Sequence, residues 1–188
     1  MFHLPLGAQG TLSSTWSVVM PLNNLKVFIG GPIQFAIRQD GFHELLKETI
    51  EQATEAVSAM NGRVLSAHAA ERFGLDTPAF TPEQVSRRDF AWMQECDVFM
   101  PILPVLSGQD LLRTDGTHIE LGWACALRRP IVLVTQLPIV ANASHLLKGL
   151  EQICRVEKLD IEELRTNPWQ LAGIIEGLLE RRSQLEPA

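Results

Sequence analysis

Two carboxylates and one glycine turn are the residues whose types and spacing best suit chemistry. Glu120 stands in Asp115-Gly116-Thr117-His118-Ile119-Glu120-Leu121-Gly122-Trp123-Ala124, which reads as a glycine leading into a helix from about His118 to Leu127. In the first turn of such a helix a carboxylate feels the positive end of the dipole, so its ionised form is favoured. An ionised carboxylate at the ligand edge of a sheet suits a nucleophile; a glutamate that only stabilises the helix start reads the same way. Asp89 lies in Arg87-Arg88-Asp89-Phe90-Ala91-Trp92, in mid-helix, where Asp is a mediocre helix former. Either a tertiary role or surface pairing with Arg87 or Arg88 accounts for it. Brought together, two such carboxyls are the acid and nucleophile that glycosidic cleavage needs. Gly30-Gly31-Pro32 lets a backbone approach a ligand and leaves N–H groups free. It reads equally as a plain tight turn, being neither GxGxxG nor a P-loop.

Other chemistries find less support. The five histidines (His3, His43, His68, His118 and His145) form neither HxxxH nor HExxH, so no metal site is expected. A serine hydrolase would want GxSxG, which is missing. His68 and Glu71 follow a strand, where ligand contact and a polar helix start are both open. Cys125 reads as core packing inside an apolar helix.

The elements that must position these residues alternate. Leu25–Ile29, Arg63–Ala67, Asp97–Leu103, Ile131–Thr135 and, weakly, Ile153–Val156 are short apolar runs, the pattern of buried parallel strands. Between them, helical spacing runs from His43 to Met60 and stops at Asn61-Gly62. Thr81-Pro82-Glu83-Gln84 opens a helix to about Glu95 with an N-cap and a proline at its first position. Ser144–Leu150 reads as a short helix and Pro168–Arg182 as an amphipathic one. The β-α alternation predicts an α/β fold, a five-stranded parallel sheet with helices on both faces and ligands outside the strands' carboxyl ends.

Composition bounds the rest. With 188 residues, 46% hydrophobic and 20% charged, the chain is of one-domain size and ordinary globular make-up. The net charge of −6 argues against a duplex nucleic-acid face. No apolar run approaches the roughly 20 residues of a membrane span. The first 19 residues lack the Lys or Arg of a signal peptide, and three distant cysteines suggest no disulfide framework, so a cytoplasmic location is expected. Residues 1–24 are uncharged and aperiodic and read as a flexible arm before a single domain over 25–188, or as an arm that packs on a partner through Trp16.

Four stretches then coincide in order and spacing: Lys26-Val27-Phe28-Ile29-Gly30-Gly31-Pro32, Ala67-His68-Ala69-Ala70-Glu71, Asp89 eight residues before Asp97-Val98-Phe99, and Gly116 to Ala124. Over about residues 25–157 the chain resembles the nucleoside 2-deoxyribosyltransferase superfamily, and within it the cytidine 5′-monophosphate N-glycosidases. The resemblance implies a flavodoxin-like (Rossmann-like) sheet, a homodimer, and cleavage of the base–C1′ bond of a nucleotide without metal or other cofactor. It implies Glu120 as the nucleophile and Asp89 as the second acid, with Gly30, Gly31 and Pro32 lining the sugar. Gln34 and His68 would face the substrate. Thr114, Gly116 and Thr117 would hold a 5′-phosphate, and Ser144 would reach that phosphate from the neighbouring subunit. Deoxyribosyl-cleaving members use a Tyr near the first strand; this chain has none, which leaves room for a ribose 2′-OH. The resemblance therefore implies a ribonucleotide N-glycosidase, CMP first among substrates. A deoxyribosyltransferase and a non-catalytic nucleotide sensor are the alternatives.

Overall fold

The computed structural model describes residues 22–106 and 110–183. Five parallel strands form the main sheet: β1 (Lys26–Gly30), β4 (Arg63–Ser66), β5 (Val98–Leu103), β6 (Ile131–Thr135) and β7 (Val156–Asp160), in the order β4-β1-β5-β6-β7. That is the flavodoxin-like order, with its switch point between β1 and β5. A two-stranded antiparallel hairpin, β2 (Ile37–Arg38) and β3 (Gly41–Phe42), follows β1.

Alternation along the strands divides the interior into two cores. Val27, Ile29, Val98, Met100, Ile102, Val132 and Val134 face α1 (Glu44–Ala59), α6 (Ile161–Thr166) and α7 (Leu171–Ser183). Phe28, Phe99, Leu103, Ile131 and Leu133 face α3 (Pro82–Glu95), α4 (Asp115–Ala126) and α5 (His145–Lys148). Each fully buried large side chain contributes about 1.5–3 kcal/mol by leaving water, so both faces are strongly specified. A short helix, α2 (Ala67–Ala70), completes the set directly after β4.

The expected helices over 43–60 and 81–95 are present. Thr81 and Gln84 form a full capping box. The expected alternation of β and α is present too, with differences at four places. Helix α4 begins at Asp115, three residues before His118, because the Thr114 side chain accepts from Thr117 N–H and caps it there. The fifth strand lies at Val156–Asp160 rather than Ile153–Val156; Leu150–Gln152 is a turn of 3-10 helix, and the chain is still turning at Ile153 and Cys154. The β2–β3 hairpin, α6 and α2, which takes Ala67 from the expected second strand, fall outside the expected elements. Cys125 and Cys154 form a disulfide with Cα atoms 5.7 Å apart, although no disulfide was expected from their separation. Residue 125 ends α4 and residue 154 leads into β7, so both arrive at the same edge of the sheet. Cys125 still packs against the core, in keeping with its apolar helix position.

Residues 1–21 of the expected arm, Trp16 among them, lie outside the described residues. Leu22 is buried in the core and donates from its N–H to the carbonyl of Met60 at 2.7 Å. The packed body therefore reaches back three residues before position 25. Among the described residues no helix is long and apolar enough to cross a membrane.

Candidate active site

A cleft of about 180 Å³ opens at the carboxyl ends of β1 and β4, lined by the loop after β1, the end of α2, one face of α3 and the start of α4. Gly30, Gly31, Gln34, His68, Asp89, Thr114, Gly116, Thr117 and Glu120 all line it. Nine of the eleven site residues expected from sequence, from four separate segments, thus converge on one hollow. The other two are Pro32 and Ser144. A larger hollow of about 610 Å³ lies by the disulfide, before the starts of β6 and β7, and contains none of these eleven residues.

Glu120 sits in the second turn of α4, not the first, so the expected dipole stabilisation of its charge does not apply. Its carboxyl is instead almost wholly buried, 9% exposed, and Oε2 has no hydrogen-bond partner. Burial pushes its pKa up to about 8, the charge of Asp89 adds to the rise, and Arg88 opposes it. The expectation that the ionised form of Glu120 is favoured is corrected: burial favours the protonated form at neutral pH.

Oε2 lies over Gly30. A Cβ at that position would stand 2.9 Å from it and 2.9 Å from the Phe99 ring. Only a residue without a side chain lets this carboxyl reach the end of β1, which gives the first glycine of the turn its reason. At Gly31 the constraint is backbone, since a Cβ would meet the carbonyl of Ile102 at 3.0 Å. Pro32 is buried beneath this turn. Its carbonyl accepts from Nε2–H of His68 at 3.0 Å, which fixes the tautomer of that ring. His68 is fully buried, and burial pushes its pKa down to about 4, so it is a neutral strut between β4 and the glycine turn.

Asp89 is 6% exposed, on the inner face of α3. Burial raises its pKa, while hydrogen bonding and charge from Arg88 pull it down. It does pair with Arg88, one of the two partners open from sequence, with Nε donating to Oδ1 at 2.8 Å. The pairing is buried rather than superficial. Arg88 also donates from Nη2 to Oε1 of Glu71 at 2.7 Å, and Thr77 Oγ1 donates to Glu71 Oε2 at 2.5 Å. Arg88 was read from sequence only as a surface partner of Asp89, and Thr77 was not singled out. The signal that was available for Arg88 is a basic residue beside an ill-placed Asp.

At the mouth, Phe35 is 41% exposed and lies under the Arg113 guanidinium, 4.4 Å from ring centroid to Cζ. Arg113 pairs with Asp115 at 2.9 Å. The Thr114 hydroxyl is engaged with Thr117, through Thr117 N–H at 3.2 Å and Thr117 Oγ1 at 2.7 Å. Gly116 has open space where a side chain would stand. Ser144 caps α5, accepting from Leu147 N–H at 3.1 Å. It lines an adjoining hollow that shares Thr114 and Asp115 with the cleft, and within one chain it does not enter the cleft. Among the described residues, no three His, Cys, Asp or Glu side chains are grouped to hold a metal ion.

A flavodoxin-like sheet with two buried acids beside a glycine turn at its switch point defines an α/β protein built to act on a small ligand there. Residues 27–157 match the family model described as nucleoside 2-deoxyribosyltransferase, and the chain belongs to that family. Among solved structures, BlsM is 25% identical with a TM-score of 0.65, over 88% of this chain and 97% of that one. The Clostridium botulinum CMP N-glycosidase BcmB is 21% identical with a TM-score of 0.53, over 79% of this chain and 98% of that one. No protein of curated function matched the sequence.

Proposed function

We propose that this protein is a nucleotide N-glycosidase that hydrolyses the bond between base and C1′ of a ribonucleoside 5′-monophosphate, with CMP the first candidate. The observation that carries this reading is the buried, unpartnered Glu120 carboxyl held against Gly30 beside Asp89. A binding module would have no need of two desolvated acids whose pKa values are both raised. BcmB, named as a CMP N-glycosidase, shares the fold.

Burial keeps a proton on Glu120 at neutral pH, and the reaction uses it. As the C1′–N bond breaks, its electron pair leaves with the base, which takes the proton from Asp89. Positive charge grows at C1′ and the Glu120 carboxylate captures it, giving a glycosyl-enzyme. Water then attacks C1′, passes a proton to Asp89, and frees Glu120 and ribose 5-phosphate. The proton that burial favours on Glu120 passes to Asp89 as positive charge develops at C1′ over that oxygen. Backbone N–H groups at the start of α4, around Gly116, with the Thr117 hydroxyl, suit the 5′-phosphate, and Thr114 serves it by fixing that helix start. Gly30 and Gly31 leave room for the sugar, and Gln34 offers both a donor and an acceptor to the base edge. In a homodimer, Ser144 of a second copy would close the phosphate end.

The test is chromatographic analysis of purified protein incubated with ribo- and deoxynucleoside monophosphates and their nucleosides. Free base from CMP, more slowly or not at all from dCMP, and none with Glu120→Ala, is the expected result. Base exchange between nucleosides would replace this reading with a deoxyribosyltransferase. No turnover with any of them, together with tight nucleotide binding, would replace it with a sensor.

A further inference from the structure

Among the described residues Arg88 is the one cation acting on the acid pair, and aromatic rings and carboxylates hold it on several sides. Its guanidinium lies 5.0 Å from the Trp92 ring centroid and 5.3 Å from that of Phe80. Two of its nitrogens are committed to carboxylates, Nε to Asp89 and Nη2 to Glu71, and the third, Nη1, is buried without a partner. Glu71 is itself anchored by Thr77 from the turn that joins α2 to α3. The geometry is that of a clamp whose position is dictated by the two carboxylates.

We propose that Arg88 is a positioning residue for the Glu120–Asp89 pair. By holding the Asp89 carboxyl between α2 and α3 with a fixed positive charge, it limits the pair to a single proton. This rests on the reading of Glu120 and Asp89 as the chemical pair. The groups facing Asp89 are Arg88 on its own helix, Glu71 at the end of α2, and Glu120 on α4. Two of these three are acids. Without Arg88, Asp89 would stand among buried carboxyls with no compensating charge, and burial and Glu71 would both push it towards protonation. A doubly protonated pair can still donate to the base but has no carboxylate to capture C1′. Arg88 thereby acts on the reaction through Asp89 without touching substrate. The conservative change to Lys keeps the charge but loses the two-armed geometry, so it should restore titration better than alignment.

The experiment follows the carboxyl carbons of Asp in ¹³C-labelled full-length protein by NMR across pH, with the Asp89 signal assigned from Asp89→Asn. It compares wild type, Arg88→Met and Arg88→Lys, alongside the pH dependence of kcat/KM on CMP. In Arg88→Met the Asp89 midpoint should rise by at least about one pH unit, and the acid limb of kcat/KM should move up with it. Arg88→Lys should restore most of the midpoint while kcat stays depressed. If Arg88→Met does not fold, Arg88→Met/Glu71→Gln removes the buried pair together and should show a smaller rise in the same direction. An unmoved Asp89 midpoint overturns the proposal whatever the activity. A moved midpoint in a protein that cleaves no nucleotide leaves the coupling standing and rejects the N-glycosidase reading instead.

Discussion

Replacing Gly30 with Ala separates the reactive geometry from the stability of the fold. The added Cβ would lie 2.9 Å from Glu120 Oε2 and 2.9 Å from the Phe99 ring. Relief needs a shift of about 0.5–1 Å, since carbon contacts settle near 3.5–4.0 Å. Phe99 is fully buried between β1, β6 and α3, whereas the Glu120 carboxyl borders an open cleft, so the carboxyl yields first. A displacement of that size at a reacting atom costs about 100-fold in rate. The accompanying overpacking costs about 1–3 kcal/mol, which lowers Tm by about 2–12 °C in a chain of this length. The assay is release of free base from CMP under single-turnover conditions, with Tm from calorimetry. Gly173→Ala is the control. It lies inside α7 with open space around a Cβ, so the rate should hold and stability should gain about 0.5–1 kcal/mol. A Gly30→Ala protein with wild-type kcat would refute the placement of the reactive carboxyl over Gly30.

Three further outcomes follow from the same geometry. The kcat/KM profile on CMP should be bell-shaped, its alkaline limb near about 8, where the pair loses its one proton; a plateau extending to pH 10 would contradict a proton held by the acids. Glu120→Gln should be more stable than wild type at high pH. The folded pKa of Glu120 is raised from 4.5 to about 8, so its contribution to stability is fully present below 4.5 and is lost as pH rises to about 8. The gap between the two proteins should therefore open over that window, to at most about 5 kcal/mol, and stay flat above it; chemical denaturation at pH 5 and pH 9 checks it. In unfolded, unreduced protein one thiol should react, Cys96, and three after reduction. Closing a loop of 29 residues is worth about 3–4 kcal/mol, and reduction should lower the denaturation midpoint accordingly.

Local signals set most of the frame. Thr81-Pro82 with Gln84 set the start of α3, and the apolar run Ile131–Thr135 matches β6 residue for residue. Where local signals competed, they misled. Ile153 and Cys154 are apolar but belong to a turn, whereas Val156-Glu157-Lys158-Leu159-Asp160, polar at three of five positions and mostly half-buried, forms the edge strand. Gly116 reads as a loop residue, yet the Thr114 cap starts the helix before it, and that moved Glu120 one turn inwards. The chemical consequence is large, because burial rather than the dipole then governs the carboxyl. Glu120, Asp89, Gly30 and His68 were legible because each sits at the end of a strand or on a helix that follows one. The clamp of Arg88 on Glu71 was not, since it spans 17 residues and depends on how the turn over residues 71–80 folds back. Which subunit, if any, brings a serine to the phosphate end is likewise a property of assembly, and Ser144 by itself shows only a helix cap.

The central claim is that Glu120 forms a bond to C1′. A 2′-fluoro-substituted cytidine 5′-monophosphate slows both steps and should let that intermediate accumulate. Intact-protein mass spectrometry followed by peptide mapping should show one fluoro-pentosyl phosphate adduct on the peptide containing Glu120, and none on Glu120→Ala. An adduct on another residue, or CMP hydrolysis that persists in Glu120→Ala, would contradict it.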